Sequence, residues 1–132
     1  MTAPGPCPCG SGRDHAACCG PIHAGRPAPT AEALMRSRFS AFALGDAAYL
    51  LRSWHPSTRP AVLDLDDVVV WRRLQIVDTD AGGPDDAEGV VEFRASYRGP
   101  EGAGLLHERS RFVRHDGRWV YLDVVTGWAP GT

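Results

Sequence analysis

All four cysteines of this chain lie in one short stretch, "CPCGSGRDHAACCG", residues 7–20, and nothing else constrains its folding as sharply. Cys7 and Cys9 form a C-x-C pair, and Cys18 and Cys19 are adjacent. Three arrangements compete. Disulfides between neighbours would close very small rings against the preferred S–S geometry, and cross-paired bonds are rare in a reducing compartment. Redox or nucleophilic chemistry calls for C-x-x-C, or for one thiol with a distant base. His15 is near in sequence, but a cysteine–histidine dyad needs no three further thiols. The third arrangement is a metal knuckle. Four thiolates suit the tetrahedral preference of zinc, and Gly10 and Gly12 can take positive φ so that the chain wraps the ion, turning backbone N–H groups toward the sulfurs. "RDHAACC" can form a short helical turn presenting the second pair. We adopt this reading, with Cys7, Cys9, Cys18 and Cys19 as ligands of one structural Zn2+. His15 and His23 are substitute ligands only, because four sulfurs already fill the shell and leave no position for water. So small a segment has almost no apolar residues, and its order must come from the ion.

Composition sets the wider limits. With 132 residues, 43% hydrophobic and 23% charged, the chain suits one ordinary domain with a single core. A net charge of -2 argues against a general nucleic-acid surface. The N-terminus lacks the pattern of a secretory signal, and no stretch nears the roughly 18 apolar residues of a membrane span. These features place the chain in the cytoplasm.

After the knuckle, "PIHAGRPAPT" (21–30) reads as a linker, so the expected division is residues 1–26 and 27–132. Thr30 can cap a helix, "AEALMRSRFSAFAL", whose Leu34, Met35, Phe39, Ala41 and Phe42 share a face and which Gly45 ends. Asp46 can cap a second helix, "AAYLLRSW", broken by "HPSTRP". "AVLDLDDVVV" can hold a short third helix. From residue 68 the chain turns to strands. "VVVWRRLQIV" is β-rich, "DTDAGGPDDAEG" (78–89) reads as an exposed, mobile acidic loop, and "VVEFRASYRG" alternates with Val91, Phe93, Ala95 and Tyr97 on one face. "LLHERSRFVRHDGRWVYLDVV" is a hairpin turning at Asp116-Gly117. Helices followed by three or four antiparallel strands predict an α+β fold with helices packed on one face of a curved sheet. The cone-shaped fold of the nuclear-transport-factor-2-like type has this order.

Arg38 falls between Leu34 and Phe42, in the middle of the apolar face. It either snorkels or pairs structurally, or it projects a charge into a pocket. Arg36 points about 160° away and belongs on the surface. A two-residue turn at Asp116-Gly117 pairs Phe112 with Tyr121, Ser110 with Asp123 and Glu108 with Val125, all on the face of Trp119. Such a mix of aromatics and carboxylates would line a polar cavity. The opposite face carries Arg109, Arg111, Val113, Val120, Leu122 and Val124, apolar enough for a homodimer contact through the sheet or for cover by the knuckle. Trp54 is expected in the core. His55 either caps a carbonyl or acts as a pocket acid/base. His55, Arg38, Glu108 and Asp123 together could make a hydrolytic or isomerising site, but the chain has no nucleophile elbow, phosphate loop or second metal cluster. A binding module is favoured over an enzyme.

Two resemblances add to this. The spacing C-x-C-x8-C-C resembles the SEC-C motif, named for the zinc-binding tail of the translocase ATPase SecA, with all four ligand positions matched. "LMRSRFSAF", "YLLRSWHP" and "HERSRFVRHDGRWVYLD", in that order after the knuckle, resemble the bacterial YchJ family. That resemblance implies a SEC-C motif joined to a nuclear-transport-factor-2-like middle domain. It brings no established activity, but by position it draws attention to Arg36, Arg38, Trp54, His55, Glu108 and Arg111. Many members carry a second SEC-C motif at the C-terminus, whereas this chain ends in "TGWAPGT". In SecA the tail serves protein contact. The preferred expectation is therefore a zinc-ordered interaction module presenting Arg13, His15 or Arg26 to a protein or ribosomal partner. The alternative is a binder of, or enzyme acting on, a small ligand in the cone pocket, lined from Arg36, Arg38, Trp54, His55, Glu108, Ser110, Arg111, Tyr121 and Asp123.

Overall fold

The structure is a computed structural model that describes residues 5–63, 65 and 69–125. It is α+β. A 3-10 turn (His15–Ala17) leads into α1 (Cys19–His23), α2 (Ala31–Leu44) and α3 (Ala47–Arg52). Four strands follow: β1 (Val70–Ala81), β2 (Glu88–Gly99), β3 (Gly102–His115) and β4 (Arg118–Val124). They form an antiparallel meander in the order β1-β2-β3-β4. No helix among the described residues is long and apolar enough to cross a membrane.

Local chemistry sets the helix ends. The Thr30 hydroxyl accepts from Ala33 N at 3.0 Å, satisfying a first-turn donor. Gly45, at φ 75°, closes α2 in the left-handed conformation that only glycine adopts without strain. Asp46 Oδ1 accepts from Tyr49 N at 3.0 Å and starts α3. The hairpin turns at Asp116 (φ 51°) and Gly117 (φ 80°), both positive as a type I′ turn requires.

The main core packs Leu34, Met35 and Phe39 of α2 against Leu74, Val91, Phe93, Ala95, Phe112 and Trp119 of the sheet. The other sides of α2 are covered too. Ser37, Ser40 and Ala41 are 0% exposed, because α3 and the cysteine segment lie against them. At the sheet's β4 edge, the chain after α3 adds a short parallel pairing: His55 N donates to Tyr121 O and Tyr121 N to Ser53 O, each at 2.8 Å. This contact brings α3 and Trp54 to the mouth of the sheet.

Four expectations need correction. The linker begins later than residue 21, because Pro21–His23 complete α1. The acidic loop shrinks to residues 82–87: β1 runs on through Asp78, Thr79 and Asp80, whose pairing with Glu92, Val91 and Val90 satisfies their backbone. The third helix expected at 61–70 does not form at residues 61–63, and residues 64 and 66–68 lie outside those described. The hairpin register departs beyond the turn. Phe112 pairs with Tyr121, but Arg111 pairs with Asp123 and Ser110 with Val124. Leu122 is the extra residue of a bulge on β4, and one extra residue carries everything beyond it to the other face.

Candidate metal centre and cone cavity

The cysteine segment folds as a tight loop. Cys7 N donates to Arg13 O at 2.8 Å, Gly10 N to Cys7 O at 3.1 Å and Cys18 N to His15 O at 3.1 Å. Gly10 and Gly12 have φ of 81° and 85°, which closes the loop without a Cβ clash. The four Sγ atoms lie within 4.8 Å of one another, and all four thiols are free. Cys9 and Cys18 are 3.6 Å apart, and Cys18 and Cys19 3.9 Å. A disulfide would need about 2.05 Å. A tetrahedral zinc with bonds of about 2.3 Å has sulfur–sulfur edges of about 3.8 Å. The donor set therefore fits a metal.

Electrostatics agree. The Cys9 thiol drops to about 4, chiefly because the Cys19 thiol donates to it, with Ser11 and Cys7 adding to the effect against burial. Cys19 is pushed far above the usual thiol range by that same bond and by burial. Burial, and the neighbouring Cys9, also raise Cys18. Without a cation the cluster favours one thiolate among neutral thiols, and four thiolates at these distances require positive charge between them.

The knuckle is docked rather than hung on a tether. Cys7 Sγ lies 3.4 Å from the buried Ser40 hydroxyl of α2. Arg36 Nη1 donates to Cys9 O at 3.0 Å while its Nε pairs with Glu32 at 3.0 Å. His23 Nε2 bonds Ser37 O at 2.7 Å, and its ring packs on Tyr49 at 4.6 Å. Arg52 Nη2 donates to His23 O at 2.7 Å. His15 turns inward and packs on the His23 ring at 5.3 Å, while Arg13 and Arg26 are exposed.

On the other side of α2, between the helix and the concave face of the sheet, lies a cavity of about 160 Å³. Its walls are Met35, Arg38, Phe39 and Phe42 of α2, Trp54, Trp71, Phe93, Ala95 and Leu106, with Glu108, Ser110 and Tyr121 from the hairpin. Arg38 is 4% exposed. Its Nη1 donates to Leu50 O at 2.8 Å and to Ser53 Oγ at 2.7 Å. Its guanidinium carbon sits 5.0 Å from the Trp54 ring centre and 4.8 Å from that of Tyr121. Among the described residues no carboxylate pairs with it. Burial lowers its pKa to about 10, so it stays charged at neutral pH. Burial alone raises Glu108, and burial together with the Glu108 charge raises Tyr121.

Of the residues singled out from the sequence, the fold brings Arg38, Trp54, Glu108, Ser110 and Tyr121 to this cavity. Arg36 leaves for the knuckle. His55 Nδ1 accepts from Ser57 N at 3.0 Å and meets the Ser57 hydroxyl at 2.7 Å, with its ring against His115, away from the cavity. Arg111 and Asp123 pair with each other in bidentate fashion at 2.7 and 2.8 Å on the outer face. The β4 bulge puts Asp123 there, outside the pocket in which the unbulged register placed it. That outer face is less apolar than expected: Arg109 bridges Glu92 at 3.0 Å and Asp78 at 3.4 Å, and His107 bonds Glu92 at 2.8 Å. Val120 is buried within the chain rather than displayed for a second copy. Sequence reasoning missed Ser53, which holds Arg38, and Ser37 and Ser40, which face α3 and the knuckle. No local signal marks them, since serine is common on any exposed helix face.

Comparison with known proteins agrees with this geometry. Residues 6–21 match the SEC-C motif, and residues 30–124 match the family described as YchJ, middle NTF2-like domain. A UPF0225 protein of Streptomyces coelicolor is 60% identical over 119 residues, covering 89% of this chain and 93% of its own. A UPF0225 protein of Deinococcus radiodurans is 59% identical, covering 89% of this chain and 87% of its own. The solution structure of a SEC-C motif containing protein from Rhodopseudomonas palustris superposes with a TM-score of 0.78 at 34% identity, over 90% of this chain and 96% of that one. The crystal structure of a SEC-C motif containing protein from Psychrobacter arcticus gives 0.74 at 27% identity, over 96% and 84%. With its cysteine knuckle, its sheet and its cavity all falling inside these matches, the chain belongs to the YchJ family, also called UPF0225.

Proposed function

We propose that this protein binds a small molecule in the cone cavity, and that the knuckle holds one structural Zn2+ that keeps α2 in place. The observation that carries the reading is Arg38. A guanidinium 4% exposed, with no carboxylate partner among the described residues and a cavity beside it, is costly to keep unless something occupies that cavity. Four thiolates fill a zinc shell, so the ion offers no site for water or substrate and acts through folding. Its effect reaches the cavity through α2, one side of which meets the knuckle at Arg36, Ser37 and Ser40 while the other supplies Arg38.

The interaction-module reading remains the competitor. It is supported by the SEC-C motif and by the exposure of Arg13 and Arg26. Ligand-observed NMR with a small-molecule library separates the two. Hits on the native chain that disappear in an Ala95→Leu variant, whose larger side chain fills the cavity, support the cone. Hits that persist unchanged in that variant, or a library without hits, reject it. Elemental analysis of protein purified under reducing conditions should find one zinc per chain, and substoichiometric metal with free thiols rejects the structural ion.

A further inference from the structure

Resting on the cone reading, the chemistry of the cavity narrows what it takes. We infer that the ligand is a ring-sized monocarboxylate, its carboxylate turned to Arg38 and its apolar body held among aromatic side chains.

Size comes first. A cavity of about 160 Å³ is close to the roughly 150 Å³ apolar cavity that accepts one benzene ring. A whole nucleotide or peptide segment does not fit inside it. The walls come next. Phe39, Phe42, Trp71 and Phe93 offer ring faces and edges, and aromatic pairs gain from offset or edge-to-face contact beyond the area they bury. Charge decides the rest. Nη1 of Arg38 is committed to Leu50 O and Ser53 Oγ. Nε and Nη2 carry three more N–H donors with no hydrogen-bond partner among the described residues. Their spacing matches the two oxygens of a carboxylate. Trp54 and Tyr121 flank the planar guanidinium through their ring faces and so hold it in place. The Trp54 Nε1–H is itself a buried donor without a partner among the described residues. Glu108 favours a cation less than its formal charge suggests, because burial raises its carboxyl above the ordinary carboxylate range. It is suited to meeting a neutral polar substituent. The donors left without a partner belong to Arg38 and Trp54, and the complementary guest is an anion with a ring-sized body.

The test uses the full chain as purified, with benzoate as the probe and benzamide and benzylamine as its neutral and cationic counterparts. Proton–nitrogen correlation spectra follow the indole N–H signals of Trp54 and Trp71 during each titration. Benzoate is expected to shift both saturably and to bind about tenfold or more tightly than benzamide, the gain of charge-assisted over neutral hydrogen bonding in a buried site. Benzylamine is expected not to saturate. In Arg38→Met, with native indole dispersion as the check on folding, the preference for benzoate should vanish. Because the three probes compare on the wild-type chain, the inference stays testable even where that variant fails to fold. Equal affinity for benzoate and benzamide overturns the choice of an anion while leaving the cone reading intact. Retained preference in a folded Arg38→Met protein overturns the role of Arg38. Silence of all three probes overturns the ligand class, and the library screen above then tells that failure from failure of the cone itself.

Discussion

Ser53→Ala is the sharpest probe of how Arg38 is held. Ser53 is buried, and its hydroxyl accepts from Arg38 Nη1 at 2.7 Å while donating to Tyr49 O at 2.8 Å. Alanine removes one of two acceptors that solvate a buried guanidinium. Leu50 O, at 2.8 Å, remains. Hydrogen bonds to charged groups contribute about 1.5–3 kcal/mol, and leaving a buried donor unsatisfied puts the loss toward the upper end. The small loss of transfer energy from deleting a hydroxyl does not offset it. We expect Ser53→Ala to lower stability by about 2 kcal/mol, roughly 8 °C in Tm for a chain of this size. Urea unfolding at fixed zinc concentration measures it. In an Arg38→Met background the same change should cost under about 1 kcal/mol, because only the hydroxyl's local donation, shared between Tyr49 O and Leu50 O, is then lost. The coupling between the two sites is therefore the decisive quantity. A Ser53→Ala loss below about 0.5 kcal/mol, or equal losses in both backgrounds, would refute the claim that Arg38 depends on this hydroxyl.

Further outcomes follow from the same contacts. Cys9→Ser should lose the metal and lower Tm by about 10 °C or more, since binding free energy is folding free energy here; paired elemental analysis and calorimetry check it. Asp123→Asn should cost under about 1 kcal/mol and leave benzoate binding unchanged, because Arg111 and Asp123 form an exposed pair off the cavity; a change in ligand affinity would contradict the bulged register. Burial lowers the His23 imidazole below its ordinary value. The unfolded chain then takes up the proton at higher pH than the folded one, so this contribution is complete above about pH 6.5 and is lost as pH falls through the lower folded value. A His23→Gln variant should show a flatter pH dependence of stability over that range, measured by denaturant unfolding.

The elements that were legible early are those whose cause is local. Thr30, Gly45 and Asp46 mark helix ends because a cap needs only its own turn. Val91, Phe93 and Ala95 announce a strand face because alternation is a property of the strand itself. Asp116-Gly117 sets its turn through its own dihedral angles. Arg38 stood out because a charge in an apolar stripe is anomalous before any neighbour is known. What it meets there was not legible: the flanking rings come from Trp54 and Tyr121, and its acceptors from Leu50 and Ser53.

By itself, then, the order of residues determined a four-sulfur knuckle, a capped helix carrying an out-of-place arginine, and an antiparallel sheet with a tight hairpin. Tertiary structure alone decided that Arg36 holds the knuckle while Arg38 faces the cavity, two residues apart on opposite sides of one helix. It alone moved Asp123 out of the site, through a single bulge at Leu122. Short-range signals are written in neighbouring side chains. Partnership across the fold depends on which distant surfaces meet, and one inserted residue is enough to exchange them.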